Sequence, residues 1–247
     1  MKIESASAIE TGARPETDGH PVNYTLVGRR GTCLGEVWKM MAIIQEQLRF
    51  VRSPRNAIAK LEKDPRAAFV GFKHVLILAV LWEFALLLWA LGGATVTIPS
   101  FLKIPEERYY FYQLIFYIPM FLIAWLLASG IAYVLSKAFG GSGSYDTILG
   151  GFGMAAFISG YFALIPDFIQ GVLWTTGWVP FTEYQELTSH GFLAVLVWGY
   201  MLAYSIAYLV LYSTTIHYSQ NLSKSKSVIV AVVAYFVSVF FFMIIVR

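Results

Sequence analysis

Five stretches of the chain are long and apolar enough to cross a bilayer. A helical span needs about 20 apolar residues, because the hydrocarbon core is about 30 Å thick and a helix rises about 1.5 Å per residue. Val75–Ala94, Phe111–Leu135, Thr147–Pro166, Gly191–Thr215 and Ser227–Val246 meet that requirement. Four of them contain no Asp, Glu, Lys, Arg or His, and the first contains Glu83 alone. A charge at a helix centre costs roughly 2.5–3.5 kcal/mol, whereas each Leu, Ile, Val or Phe returns about 0.3–0.6. Val75–Ala94 carries eleven residues of those four types, so it inserts despite Glu83. The pattern predicts an all-α integral membrane protein with five transmembrane helices.

A different periodicity precedes the spans. Residues 1–32 are polar and rich in Gly, Pro, Thr, Glu and Arg, a composition that stays disordered unless a partner orders it. From Leu34 onward Val37, Trp38, Met41, Ile44, Leu48 and Val51 recur at helical steps, with Glu36, Lys39, Glu46, Arg49 and Arg52 on other faces. Ser53-Pro54 starts a second helix, and Asp64-Pro65 repeats that signal ten residues on. Residues 33–70 therefore predict cytoplasmic amphipathic helices, and residues 71–247 a five-helix transmembrane domain.

Composition and charge set the environment and the threading. Hydrophobic residues make up 57% of the chain and charged residues only 13%, against roughly 25% charged in a soluble domain. Such a chain cannot clothe one core in a water-facing surface. The single cysteine, Cys33, excludes a disulfide framework and any Cys-based metal site. Met1–Thr32 has no apolar segment of signal-peptide type, and twelve of the eighteen Lys and Arg lie within residues 1–73. The positive-inside rule then places the N-terminus in the cytoplasm and, after five spans, the C-terminus outside. The later loops agree: Lys137, Lys224 and Lys226 fall inside, while 167–190 carries Asp167, Glu183 and Glu186 but no Lys or Arg. Asn23 and Asn221, each in a glycosylation sequon, face the cytoplasm on this reading and stay unmodified.

Candidate chemistry is sparse. Glu83 is the one acid deep inside a predicted span, and an intramembrane ionisable group is a functional candidate by default. Asp146, Asp167, His74 and His190 fall at span ends, so no relay accompanies it, and a structural carboxyl bonded to a neighbouring helix is the alternative. His190 and His217 bracket the fourth span about 40 Å apart, which builds no metal site. Gly140-Gly141-Ser142-Gly143 matches the serine-nucleophile pattern of rhomboid-type intramembrane proteases, with His217 on the same side, but a glycine-serine run in a polar loop is ordinarily a turn. Small residues recur every four positions at Ala124, Ala128 and Ala132, at Gly151, Ala155 and Ser159, and at Gly199, Ala203 and Ala207. Such stripes let membrane helices approach closely, which predicts a tight centre of spans two, three and four. Trp174, Trp178, Phe181 and Tyr184 give the 168–190 loop an interfacial or partner-binding edge.

From Ser53 to Val246 the chain resembles the Ypt-interacting protein (Yip) domain family of five-span membrane proteins. The resemblance rests on Ser53-Pro54-Arg55-Asn56-Ala57-Ile58, on Asp64-Pro65, on Gly140-Gly141-Ser142-Gly143-Ser144-Tyr145, on Pro166 closing the third span, and on the turn Asn221–Lys226. It implies a cytoplasmic N-terminus and an outside C-terminus. Eukaryotic members are Golgi and endoplasmic-reticulum proteins that bind prenylated Rab-type GTPases. Their acidic, tyrosine-containing motif is not recognisable in Met1–Thr32, which favours a prokaryotic member and supplies no catalytic residue.

The functional expectation is a non-enzymatic scaffold, assembly or accessory subunit in a bacterial cytoplasmic membrane, with the endoplasmic reticulum or Golgi membrane as the alternative. A small-solute or proton channel using Glu83 ranks second and an intramembrane serine hydrolase third. No cofactor is expected other than bound lipid. The expected partners are membrane lipids and other membrane-protein subunits, met through residues 1–52 and the 168–190 loop, with no nucleic acid.

Overall fold

The computed structural model describes residues 33–94, 104–105, 108–180, 186 and 189–245, with side chains from 41 onward and up to 242. The tail 1–32, the aromatic residues Phe181 and Tyr184 and the C-terminal Val246 and Arg247 lie outside the described residues. Among the described residues seven helices follow one another: α1 (Cys33–Arg52), α2 (Pro54–Lys63), α3 (Ala67–Leu91), α4 (Tyr109–Ala138), α5 (Tyr145–Thr175), α6 (Gly191–Gln220) and α7 (Lys224–Ile245). The described chain divides into two compact units after Met41: the opening of α1, and everything from Ala42. Helices α3 to α7 are each long and apolar enough to span a bilayer, and the protein is a multi-pass integral membrane protein.

Two spans differ most from the sequence reading. The first span starts earlier, at Ala67, and ends at Leu91, where Gly92 and Gly93 stop the helix. Pro166 does not close the third span: α5 continues through it to Thr175, so residues 168–175 are helix and not loop. Proline removes one backbone donor, but inside a membrane bundle no water competes for the remaining backbone groups and the helix carries on. Pro119 is accommodated inside α4 in the same way.

Helix α5 is the hub, packed on α3, α4 and α6. The closest seam runs between α3 and α5, which lie parallel: Gly71 faces Gly153, Leu78 faces Gly160 and Trp89 faces Gly171. A Cβ on Gly150 would sit 2.7 Å from the Ala67 carbonyl oxygen, and one on Gly153 would sit 2.6 Å from the Gly71 carbonyl carbon. Backbone therefore meets backbone here, which only glycine permits. The expected centre of spans two, three and four is thus corrected: span one, not span four, is the tightest partner of span three. Ala124, Ala128 and Ala132 are buried on α4, and Gly151, Ala155 and Ser159 on α5, as close packing requires. The third stripe fails. Gly199 is exposed with no atom near the position of a Cβ, and Ala203 and Ala207 are only half-buried. The neighbouring positions 200, 204, 208 and 212 of α6 are all tyrosines, whose bulk takes the place of a small-residue contact.

Candidate functional site

The Gly-Ser loop between α4 and α5 is locked to the α6–α7 turn. Ser142 donates its backbone N–H to the Gln220 carbonyl (3.1 Å), Asn221 Nδ2 donates to Ser142 Oγ (3.1 Å), and Gln220 Nε2 donates to the Ser144 carbonyl (3.2 Å). Lys137 Nζ reaches the Gly143 carbonyl at 2.9 Å and Lys226 Nζ the Phe139 carbonyl at 3.1 Å. Gly140 at φ +90 and Asn221 at φ 55 make the two turns possible, since left-handed backbone favours Gly and then Asn. Ser144 caps α5 by accepting the Thr147 N–H. Ser142 is held by Asn221, while His217 Nδ1 is directed at the Leu222 carbonyl; no hydrogen bond between Ser142 and His217 exists among the described residues. The motif is a clamp between two helix connections.

At the same end of the bundle, α2 and the part of α1 from Ala42 onward are packed on it. Phe50 and Ile58 are fully buried, and Lys73 on α3 pairs with Glu46 on α1 at 3.9 Å. Between α1, α2 and α5 lies a cavity of about 290 Å³ lined by Glu46, Arg49, Lys60, Leu61, Asp64 and Met154. The opposite side of α1 remains uncovered: Ile44, Leu48 and Val51 are about half exposed, at 47%, 46% and 52%. His74 is enclosed near the N-terminal end of α3, with Nδ1 on the Val70 carbonyl at 2.8 Å and its ring edge-on to Phe157.

Toward the C-terminal ends of α3 and α5 two acids lie at about one depth. Glu83 precedes the end of α3 by eight residues and Asp167 precedes the end of α5 by eight, about 12 Å in each case. Glu83 is half-buried on α3, on the side of α4 that carries Ile118. Asp167 is not the loop residue expected from sequence: the continuation of α5 past Pro166 carries it into the bundle. Tyr200 donates its hydroxyl to Asp167 Oδ1 at 3.0 Å, and Trp89 Nε1 donates to the Asp167 carbonyl at 3.0 Å. Above it Trp174 and Val197 form a small apolar cluster with Trp89, Tyr110 and Tyr200, separate from the main core.

Below Asp167 a column of phenols descends α6. The rings of Tyr204 and Tyr208 lie 5.2 Å apart and those of Tyr208 and Tyr212 4.6 Å apart, and Tyr212 stacks on Phe152 at 3.7 Å. Tyr235 of α7 joins them, with its ring 5.8 Å from Tyr208 and its hydroxyl donating to Ser205 Oγ at 2.8 Å. The four-residue repeat of tyrosine was visible in the sequence as a single helical face. The significance of Asp167 was not, because it depends on where α5 ends. Glu83 and Asp167 have no described contact with each other, and no group of three or more metal-ligating side chains occurs among the described residues.

Comparison with family models, with characterised proteins and with solved structures returned no match to this chain.

Proposed function

We propose that this protein is a non-enzymatic membrane scaffold or accessory subunit, in which the five-helix domain is the anchor and α1 the docking element. The observation that carries this reading is the apolar strip Ile44, Leu48 and Val51, left exposed on a helix whose other side is held down by Phe50. An amphipathic helix with a spare apolar face beside Arg49, Arg52 and Arg55 suits a membrane-bound neighbour. The glycine seam between α3 and α5 and the loop clamp supply the rigidity an anchor needs. The N-terminus is assigned to the cytoplasm and the C-terminus to the outside of a bacterial cytoplasmic membrane, on the excess of Lys and Arg in residues 1–73.

A photo-crosslinking residue in place of Leu48, activated in native membranes, tests the role. One discrete protein adduct that disappears with Ile44→Lys is the expected result. Adducts to lipid alone, at normal expression and insertion, refute the subunit role.

A further inference from the structure

We infer that the cavity between α1, α2 and α5 seats a small zwitterion of phosphoethanolamine type, with its phosphate on Arg49 and Lys60 and its ammonium on Glu46 and Asp64. The helical pattern builds the seat. Gln45, Glu46 and Arg49 of α1 and Lys60, Leu61 and Asp64 of α2 line it, each set at positions i, i+1 and i+4 on one side of its helix. An amphipathic helix on a bundle ordinarily turns its apolar side inward and its charges to water. Here Glu46 and Arg49 border a cavity inside the protein, while Ile44, Leu48 and Val51 of the same helix are exposed. Gln47 and Phe50, both buried, fasten α1 to the bundle, and the pair of Lys73 with Glu46 at 3.9 Å adds a third point. On α2, Leu61 is buried, with Cδ2 3.3 Å from the position of a Cβ on Gly150 of α5. Between these fastenings about 290 Å³ stays open above Met154. That volume lies at the lower limit for small-ligand pockets, about 300 Å³, and matches a headgroup-sized molecule.

The charges select the ligand. Arg49 and Lys60 have no ion pair and no side-chain hydrogen bond among the described residues, so two cations are available to one anion. A guanidinium and an ammonium together suit a phosphate, whose oxygens accept a bidentate contact from arginine. Glu46 is only loosely paired with Lys73, and Asp64 uses Oδ1 for the Arg66 N–H at 2.8 Å, which leaves Oδ2 for an ammonium. An anion alone would face the two carboxylates, and a cation alone would face Arg49 and Lys60; like charges brought together are costly. A molecule carrying both charges satisfies both pairs. Asp64 stands three residues before α3, the first helix of spanning length, which sets the seat beside the depth of lipid headgroups. A phosphatidylethanolamine headgroup and free phosphoethanolamine share this chemistry.

The test titrates the purified full chain, in nonionic micelles, with free phosphoethanolamine and with dihexanoyl phosphatidylethanolamine, followed by calorimetry. Glycerol phosphate and ethanolamine are the single-charge comparisons for the free form, and dihexanoyl phosphatidylglycerol is that for the lipid. Saturable binding of a zwitterion, at least about tenfold tighter than its comparisons, is expected. Arg49→Gln and Lys60→Gln should each weaken it about tenfold, and Lys63→Gln, on α2 but outside the cavity lining, should leave it unchanged. Binding of the free form identifies a soluble ligand and binding of the lipid alone identifies a headgroup; either supports the seat. No saturable binding of either form, a comparison that binds as tightly, or unchanged affinity in a folded Arg49→Gln protein each overturns the inference. Should the variants fail to fold, the zwitterions and their single-charge comparisons on the unaltered protein decide the matter.

Discussion

Replacing Gly153 by alanine would set a methyl group 2.6 Å from the Gly71 carbonyl carbon, with the Gly71 Cα and oxygen closer still. Ordinary carbon–carbon contact is about 3.5–4.0 Å, so the overlap is about 1 Å and falls on backbone that no rotamer change can move. The two helices must separate along the seam, losing the contacts of Val75 and Leu78, which are 0% and 1% exposed. Overpacking of this kind costs up to about 3 kcal/mol, and the better helix propensity of alanine returns about 1 kcal/mol. The net expectation is destabilisation by about 2 kcal/mol. Gly199 provides the control, because a Cβ there meets no atom within 4 Å; Gly199→Ala keeps only the propensity term and should stabilise by up to about 1 kcal/mol. Reversible unfolding in mixed micelles, followed by tryptophan emission, measures both variants. If Gly153→Ala is as stable as the unaltered protein, or if the two variants change stability in the same direction by the same amount, the α3–α5 seam is not where the bundle is tightest.

Three further outcomes follow from particular contacts. Glu83→Gln should alter unfolding stability by less than about 0.5 kcal/mol, since the amide keeps the shape and much of the hydrogen-bonding capacity of the carboxyl; a larger loss in the same unfolding assay would show that the carboxyl itself is required. Asn221→Val should destabilise by about 1–2 kcal/mol, because a β-branched residue resists the left-handed backbone and breaks the bond to Ser142, while Asn221→Gly loses only the side-chain bond; thermal unfolding compares the two. With Cys33 changed to serine, an impermeant maleimide applied to intact cells should label a cysteine at exposed Trp178 and spare one at Lys224, and the reverse pattern would invert the threading.

Segment-level properties were legible in the chain before any coordinates. Transfer of a helix into lipid depends on the sum of its own side chains, so five spans could be counted and Glu83 weighed against eleven apolar neighbours without knowing what packs on what. The same holds for the division at Ser53-Pro54, where proline at the first helical position opens α2. Pairwise properties were not legible. Gly150, Gly151 and Gly153 are nearly adjacent in sequence, yet Gly150 and Gly153 face α3 while Gly151 faces Thr215 of α6; a spacing rule sees only that small residues recur. That rule therefore gave weight to Gly199, where a Cβ would meet no atom within 4 Å, and passed over Gly71, which lies outside the predicted first span. Pro166 read as a stop because it lacks a donor, but the surrounding bundle lets the helix continue, and that continuation turns Asp167 from a loop residue into an acid inside the membrane domain. Hydrophobicity acts on each segment alone, whereas close contact and charge pairing arise only between segments, and the tertiary structure alone decides which segments meet.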